Sequence, residues 1–287
     1  MLNNRKSVLV HQIFCVASVE YKRWITSTKM LLLLLITVYM KQQLIEPLLE
    51  LTDNTGGCLQ VFEPGIAFMG SSNMMFFLPL IYLLVMGDFP RQDSSTIFVM
   101  NRVGKKGWFW GQLLFGIMAA GTVLTGMILV ITLWCVGRLN WNNGNWSDAV
   151  TKYYQEVGSD FKFNLITGRI YNQTNPVPAF FHSFCLVFLM LFMLSVLLLL
   201  FTVCGKKMLG FGICGFCAVV GNSLAIFETR PLMWFFPMAH TQIRLRHELL
   251  FDGESVSLYG SYIYFLASIL LGIILSGLVL KRRKRFV

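Results

Sequence analysis

Long apolar runs separated by short polar stretches follow one another along the chain. Several runs carry few charges and reach the roughly 20 residues that a helix needs to cross a bilayer. The pattern predicts an all-α polytopic membrane protein, with spans at residues 25–42, 66–86, 108–136, 178–203, 208–227 and 262–280. Pro79 falls inside the second span, and we expect it to bend that helix.

Residues 1–24 have a different pattern from the spans. Their apolar run is interrupted by His11 and Gln12, and it ends at a charged stretch that begins with Glu20. A cleaved signal sequence needs an uninterrupted apolar centre. We therefore expect residues 1–24 to form an amphipathic helix that lies at the membrane surface.

The charges predict the orientation of the spans. Lys and Arg cluster in residues 1–24, in the segment 87–107 and in the basic tail 281–287, whereas most Asp and Glu lie in the other loops. The positive-inside rule then places both termini and segment 87–107 in the cytoplasm. The loop 137–176 and the segment 228–261 are expected outside, and the latter is apolar enough to re-enter the membrane without crossing it.

Composition supports a multi-pass protein of the plasma membrane. The chain of 287 residues is 55% hydrophobic and 13% charged, whereas a soluble protein has about a quarter charged residues. The net charge of +10 could suit a nucleic acid. However, the basic residues flank apolar runs, so we assign them to lipid headgroups and expect the bilayer, not nucleic acid, as a partner.

No pattern of an enzyme or of a metal site is convincing. Gly104-Lys105-Lys106 lacks the spaced glycine and the hydroxyl residue of a nucleotide-binding loop. Cys214 and Cys217 lie within a predicted span, and His240 and His247 have no evident third ligand. We expect neither catalysis nor a cofactor or metal in this chain.

The spans have no acidic residue at their centres, which disfavours an ion-coupled carrier. The candidates for a translocation pathway are a few polar or large apolar residues: Asn73, Met74, Asn222 and Phe235. In the fifth span, small or polar residues recur every four positions, at Gly210, Cys214, Ala218 and Asn222. That spacing predicts one face suited to close helix packing.

The segment 87–107 is more than a polar tether. Ile97, Phe98 and Met100 lie between hydroxyl residues and charges, as in a short amphipathic helix. Such a helix could transmit force between a soluble partner and the neighbouring spans. From Asp93 onward come, in order, an acid, small hydroxyl residues, an apolar run, a basic residue and, at the start of the third span, a small residue: Asp93, Ser94–Thr96, Ile97–Val99, Arg102 and Gly111.

This order, together with six spans and an amphipathic N-terminal helix, resembles the membrane subunits of ABC transporters, of the ABC type-2 permease family. The resemblance implies an exporter of an amphiphilic cargo such as a peptide, an antibiotic or a lipid-like molecule. It implies a cytosolic ATPase subunit that carries the ATP and magnesium, and a second permease copy or a related permease. The residues expected to couple the ATPase to the spans are Phe89, Asp93, Ser95, Ile97, Phe98, Arg102 and Lys105.

Two alternatives remain at this point. One is a carrier or channel that works without ATP. The other is a membrane sensor or assembly factor that uses the loop 137–176 as its binding domain.

Overall fold

The computed structural model describes residues 2–91, 94–141, 144–155, 165–229, 231–245 and 256–282, with the backbone alone for residues 2–8, 94, 95 and 97. Its α-helices, in chain order, are α1 Leu2–Ile25, α2 Leu31–Met40, α3 Glu46–Thr55, α4 Glu63–Gly70, α5 Ser72–Val85, α6 Ser94–Trp134, α7 Asp148–Gln155, α8 Gly168–Gln173, α9 Pro176–Val203, α10 Lys207–Ile226, α11 Pro237–Thr241 and α12 Leu258–Arg282. Short 3₁₀ turns occupy Thr28–Met30, Val136–Arg138, Leu232–Phe235 and Ile243–Leu245. Two short parallel strands, β1 Leu59–Gln60 and β2 Leu139–Asn140, pair Leu59 with Leu139.

Five helical stretches among the described residues are long and apolar enough to cross a membrane: Thr28–Thr55, Phe98–Trp134, Pro176–Val203, Lys207–Ile226 and Leu258–Arg282. Helices α4 and α5 pass the same test as a pair, with a bend of 78° between them. The all-α class predicted from the sequence is confirmed, and the stretches long and apolar enough to cross a membrane number five, or six when the bent pair counts as one.

The first of these stretches continues beyond the predicted end at residue 42. A π-helical turn, Lys41–Ile45, joins α2 to α3. In it the N–H of Glu46 donates to the carbonyl of Lys41, five residues back. Pro47, which has no N–H to donate, follows directly inside α3. The wider turn therefore carries the chain past a proline without ending the helix.

The bend in the second predicted span lies at Ser71 and not at Pro79. Ser71 has extended backbone angles, and its hydroxyl accepts a hydrogen bond of 3.5 Å from the N–H of Met74, so it caps α5. Helix α5 then runs through Pro79 without interruption. The serine ends one helix and starts the next, and this produces a larger change of direction than the proline does.

Helix α9 is the most buried long helix, and several others pack on it. The hydroxyl of Tyr82 in α5 lies 2.6 Å from that of Ser195 in α9, with both side chains buried. Gly210 of α10 lies against Phe201, and Gly272 of α12 against Val196. The small face predicted for the fifth span is confirmed, because its four members are buried in α10: Gly210, Cys214, Ala218 and Asn222.

Parts of the loop 137–176 fold into a small cap at the end of the bundle where α6 ends. The buried carboxylate of Glu63 accepts hydrogen bonds from the N–H of Gln60 at 2.9 Å and from the N–H of Ser147 at 2.7 Å. The indole N–H of Trp146 donates to the carbonyl of Thr174 at 2.9 Å. These bonds tie the described parts of the loop to the start of α4 and to the start of α9.

The described part of the segment 228–261 consists of short helical turns. Helix α11 and the turn Ile243–Leu245 are largely buried, against α8, α9 and α10 among others. Residues 246–255 and Arg230 lie outside the described residues. Helix α12 then runs in the same direction as α9, since Tyr262 contacts His182 and Gly272 contacts Val196. It therefore ends at the side of the molecule where α6 begins.

Candidate functional site

Helix α6 begins with a separate short helix. Gly104 has φ of 80° and ψ of 159°, which is not helical, although helical hydrogen bonding continues on both sides. Only glycine adopts such angles readily, because a side chain would meet the backbone. We call residues 94–103 the arm. The chain therefore changes direction between the arm and the long membrane-spanning part of α6.

The arm packs against α1. Its Thr96 is buried, and the hydroxyl of Thr96 donates to the carbonyl of Arg91 at 3.0 Å. The guanidinium of Arg91 in turn reaches the carbonyl of Arg23, near the end of α1, at 3.5 Å. These contacts hold the start of the arm beside the last turn of α1.

Helix α1 also packs closely on the part of α6 that follows the arm. A Cβ added at Gly111 would lie 2.6 Å from Cγ1 of Val16, which is too close for two carbon atoms. The hydroxyls of Tyr21 and Thr122 are 2.9 Å apart, and the rings of Trp24 and Phe115 meet edge to face. A helix is therefore present where the sequence predicts one at residues 1–24, as α1, and it is bound to α6 along much of its length.

The outer face of the arm carries an exposed aromatic ring. Phe98 is 74% exposed. Arg102 lies four residues later, near the same face, and Lys105 follows just after Gly104; both are exposed. An exposed aromatic ring beside a cation is a group that a partner surface can bury.

The segment before the arm is fixed to the bundle. The ammonium of Lys29 lies 2.6 Å from the carboxylate of Asp88, and its hydrogen bond lowers the pKa of that carboxyl. The side chain of Phe89 is buried, with its ring 5.2 Å from that of Phe115. Phe89, predicted as a coupling residue, therefore packs inside the bundle and does not belong to the exposed face.

A groove of about 680 Å³ lies between α1 and the arm. Its apolar wall comes from Val16 and Val19 of α1, Val99 and Val103 of the arm, and Trp108 of α6. Its polar lining includes His11, Gln12, Cys15, Glu20, Arg23, Thr96 and Arg102. Arg102 thus borders both the groove and the exposed face of Phe98.

The remaining predicted coupling residues are only partly placed. Asp93 lies outside the described residues. The backbones of Ser95 and Ile97 lie in the arm, but their side chains are not described. Of the predicted coupling residues, Phe98 and Arg102 therefore lie one turn apart on the arm, and Lys105 follows just after it.

The four predicted pathway residues do not form one site. Met74 and Asn222 are buried, and the side-chain carbonyl of Asn222 accepts a bond of 3.4 Å from the amide of Gln242. Asn73 is exposed. Phe235 is exposed and lines a separate groove of about 300 Å³, which includes none of the other three. Asn222 acts in packing between α10 and the segment after α11.

A half-buried polar cluster near the bend of α4 and α5 was not predicted. Arg244 donates to the hydroxyl of Ser72 at 2.7 Å and to the side-chain carbonyl of Gln242 at 3.0 Å. Nearby, Arg169 pairs with Glu228 at 3.1 Å. In the sequence Arg244 belongs to a stretch with several charges. Only its position next to apolar residues could have indicated that it is partly buried. Within the described part of the chain, no group of three or more His, Cys, Asp or Glu could hold a metal ion.

Comparisons with protein families, with curated proteins and with solved structures find no match for this chain.

Proposed function

We propose that this chain is the transmembrane permease subunit of an ATP-driven ABC exporter in the plasma membrane. The arm is the contact for a separate cytosolic ATPase subunit, and movement of the arm is transmitted to the spans on either side of it. The cargo is an amphiphilic molecule such as a peptide, an antibiotic or a lipid-like compound. A second permease copy or a related permease completes the pore.

The observation that carries the proposal is the exposed Phe98 on a short helix set off by Gly104. The arm lies between α5 and the membrane-spanning part of α6, so a push on it reaches two membrane-spanning elements directly. Its start is fixed to α1 through Arg91 and Arg23, and its end turns at Gly104, where the backbone is not helical. This is the arrangement that a transmitting element needs.

The distribution of charge supports the same orientation. The turn that joins α9 to α10 carries Lys206 and Lys207, and Lys207 lies close enough to Asp88 for their charges to interact. The end of α12, with Lys281 and Arg282, is on this side as well. The positive-inside rule assigns this side to the cytoplasm, where an ATPase would bind.

The test is purification of the tagged chain from its native membrane. We expect a subunit with ATPase activity to co-purify and to hydrolyse ATP faster in liposomes that contain cargo. Phe98→Ala should weaken the association about tenfold or more, as loss of a central aromatic contact does. Phe14→Ala is the control, because Phe14 is also exposed, at 56%, but lies on α1.

Two results would contradict the proposal. Purification without any ATPase, combined with transport driven by an ion gradient alone, would show a carrier or channel. Full signalling or assembly activity that disappears on deletion of residues 144–155, with no ATPase bound, would show a sensor or assembly factor instead.

A further inference from the structure

The groove between α1 and the arm has the chemistry of a site for a lipid. Its volume of about 680 Å³ lies within the range of about 300–1,000 Å³ that is usual for ligand pockets. The apolar wall follows α1 from Val16 to Val19 and continues onto Val99 and Val103 of the arm. A wall of branched aliphatic side chains offers dispersion contacts to an acyl chain and no hydrogen bonds to a polar ligand.

Among its described lining residues, the groove has more basic than acidic side chains. Arg23 and Arg102 contribute two guanidinium groups, against the single carboxylate of Glu20. Among the described residues, none forms an ion pair with Arg102. A guanidinium at the edge of an apolar groove matches a ligand with a phosphate head and an apolar tail.

One side of the groove lies at the exposed surface of α1, at Val19. On another face of α1, outside the groove, Val10 and Phe14 lie one turn apart and are 52% and 56% exposed. Val19, which lines the groove, is 47% exposed. An amphipathic helix with such side chains lies with its apolar face in the headgroup and acyl boundary. An acyl chain of that leaflet can meet the groove at the exposed side chain of Val19.

We propose that the groove between α1 and the arm binds an anionic phospholipid of the adjacent leaflet, with an acyl chain against Val16, Val19, Val99 and Val103 and the phosphate at Arg102. The bound lipid joins α1 to the arm, so its presence sets how firmly the arm is held. This inference does not rest on the proposed function, because lipid binding can be measured on the isolated chain.

The experiment uses the full chain, purified in detergent and stripped of lipid, with phosphatidylglycerol or phosphatidylcholine added. Native mass spectrometry measures the fraction of chain that retains one lipid. We expect phosphatidylglycerol to be retained and phosphatidylcholine to be lost. Arg102→Gln should weaken retention about fivefold, the effect expected of one basic residue at an anionic lipid surface. Val19→Trp should fill the groove and abolish the retention of phosphatidylglycerol.

Each variant has a matched control. Lys106→Gln removes a neighbouring exposed positive charge that does not line the groove, and Val10→Trp adds an indole on α1 outside it. Both controls should retain phosphatidylglycerol like the unaltered chain. Three results would each overturn the proposal. The first is equal retention of phosphatidylglycerol and phosphatidylcholine. The others are a loss of phosphatidylglycerol in Lys106→Gln as large as in Arg102→Gln, and full retention of it in Val19→Trp.

A second measurement leaves the groove lining unchanged and does not depend on the folding of those variants. Cys15 lines the groove and is exposed in the structure. In a chain that keeps Cys15 as its single cysteine, a maleimide should label it several-fold more slowly in nanodiscs with phosphatidylglycerol than in nanodiscs of phosphatidylcholine. Equal labelling rates in the two kinds of nanodisc would contradict the proposal. They would show that the accessibility of Cys15 does not depend on the lipid, because the groove is either open to solvent or filled by a protein segment.

Discussion

The carboxylate of Glu63 is buried between two backbone N–H groups that come from distant parts of the chain. It accepts from Gln60 at 2.9 Å and from Ser147 at 2.7 Å. A carboxylate can accept both bonds because it has two acceptor oxygens, whereas an amide has one acceptor and a donating NH₂ group. The geometry thus requires an acid at this position, although no cation of the described residues forms an ion pair with it.

We predict that Glu63→Gln destabilises the cap. One of the two buried N–H groups would face another donor and lose its bond, which costs about 2 kcal/mol. We expect a lower midpoint of thermal unfolding in detergent and faster proteolysis near Ser147. Thermal unfolding followed by near-UV circular dichroism measures the first, and limited digestion measures the second.

Glu50→Gln is the control for this prediction. Glu50 lies in α3 on the same side of the molecule but is exposed. Its replacement also removes one negative charge, and it should leave the midpoint unchanged. Equal midpoints for Glu50→Gln and Glu63→Gln would show that the Glu63 carboxylate contributes no specific bonds.

At the scale of residues, the sequence predicts regular patterns well and single long-range contacts poorly. The buried small face of α10 follows from residues such as Gly210 and Cys214 that recur at helical spacing, because one helix face is local information. The role of Glu63 depends on Ser147, 84 positions later. No local pattern contains that pairing, so the sequence shows Glu63 only as one of several acids in a loop.

At the scale of elements, the contact between α1 and α6 depends on a glycine. Gly111 brings the two helices together because a side chain at that position would meet Val16 at 2.6 Å. A Cβ at Gly126, in the same helix, would meet nothing within 4 Å. The two glycines therefore give a matched pair of positions for testing how α1 is held.

We predict that Gly111→Leu separates α1 from α6. Overpacking at a close helix contact costs about 1–3 kcal/mol, and α1 can relieve it by moving away. Hydrogen exchange of residues 9–24 should accelerate in Gly111→Leu and stay unchanged in Gly126→Leu. Slow exchange in both variants would mean that α1 is anchored by Tyr21 and Trp24 alone.

The arm depends on a second glycine of a different kind. Gly104 has nothing within 4 Å of an added Cβ, but its φ of 80° is unfavourable for any residue with a side chain. We predict that Gly104→Ala strains the arm by about 1–3 kcal/mol and shifts it from its place beside α1. The variant should still insert in the membrane, but a probe at Phe98 should report altered distances to α1 in double electron–electron resonance.

Gly126→Ala is the control for that substitution as well, since Gly126 is helical and has room for a Cβ atom. It should leave the same distances unchanged. Under the proposed function, Gly104→Ala should also lower transport more than it lowers ATP hydrolysis. If the arm keeps its position in Gly104→Ala, the backbone angles of Gly104 do not determine where the arm lies.

The sequence predicts the existence of these elements better than their breaks. Amphipathic spacing around Phe98 is enough to predict a helix, and the structure has one. The turn at Gly104 and the bend at Ser71 depend on backbone angles. A glycine before two lysines has no unique backbone conformation, and Pro79 is a stronger local signal than Ser71. The contact between α1 and the arm, which forms the groove, also lies beyond any local pattern.

At the scale of the whole molecule, the structure separates two ends with different chemistry. One end carries the arm, the turn with Lys206 and Lys207, and the end of α12. The other carries the cap, with Glu63 and Trp146, and exposed residues such as Trp141. The spans fix these ends on opposite sides of any bilayer they cross, so a measurement of sidedness at one end constrains the other.

We predict that Phe98→Cys and Trp141→Cys, each in a chain without other cysteines, label from opposite sides. Phe98 is 74% exposed and Trp141 is 71% exposed, so either cysteine should react as soon as a reagent reaches it. A maleimide that cannot cross membranes should modify Trp141→Cys in intact cells and Phe98→Cys only after permeabilisation. The comparison controls for reactivity because both cysteines should label fully in detergent. Labelling of Phe98→Cys in intact cells would place the arm outside the cell, where no cytosolic ATPase could reach it. The exporter proposal would then fail. The proposed lipid site between α1 and the arm could still be tested separately.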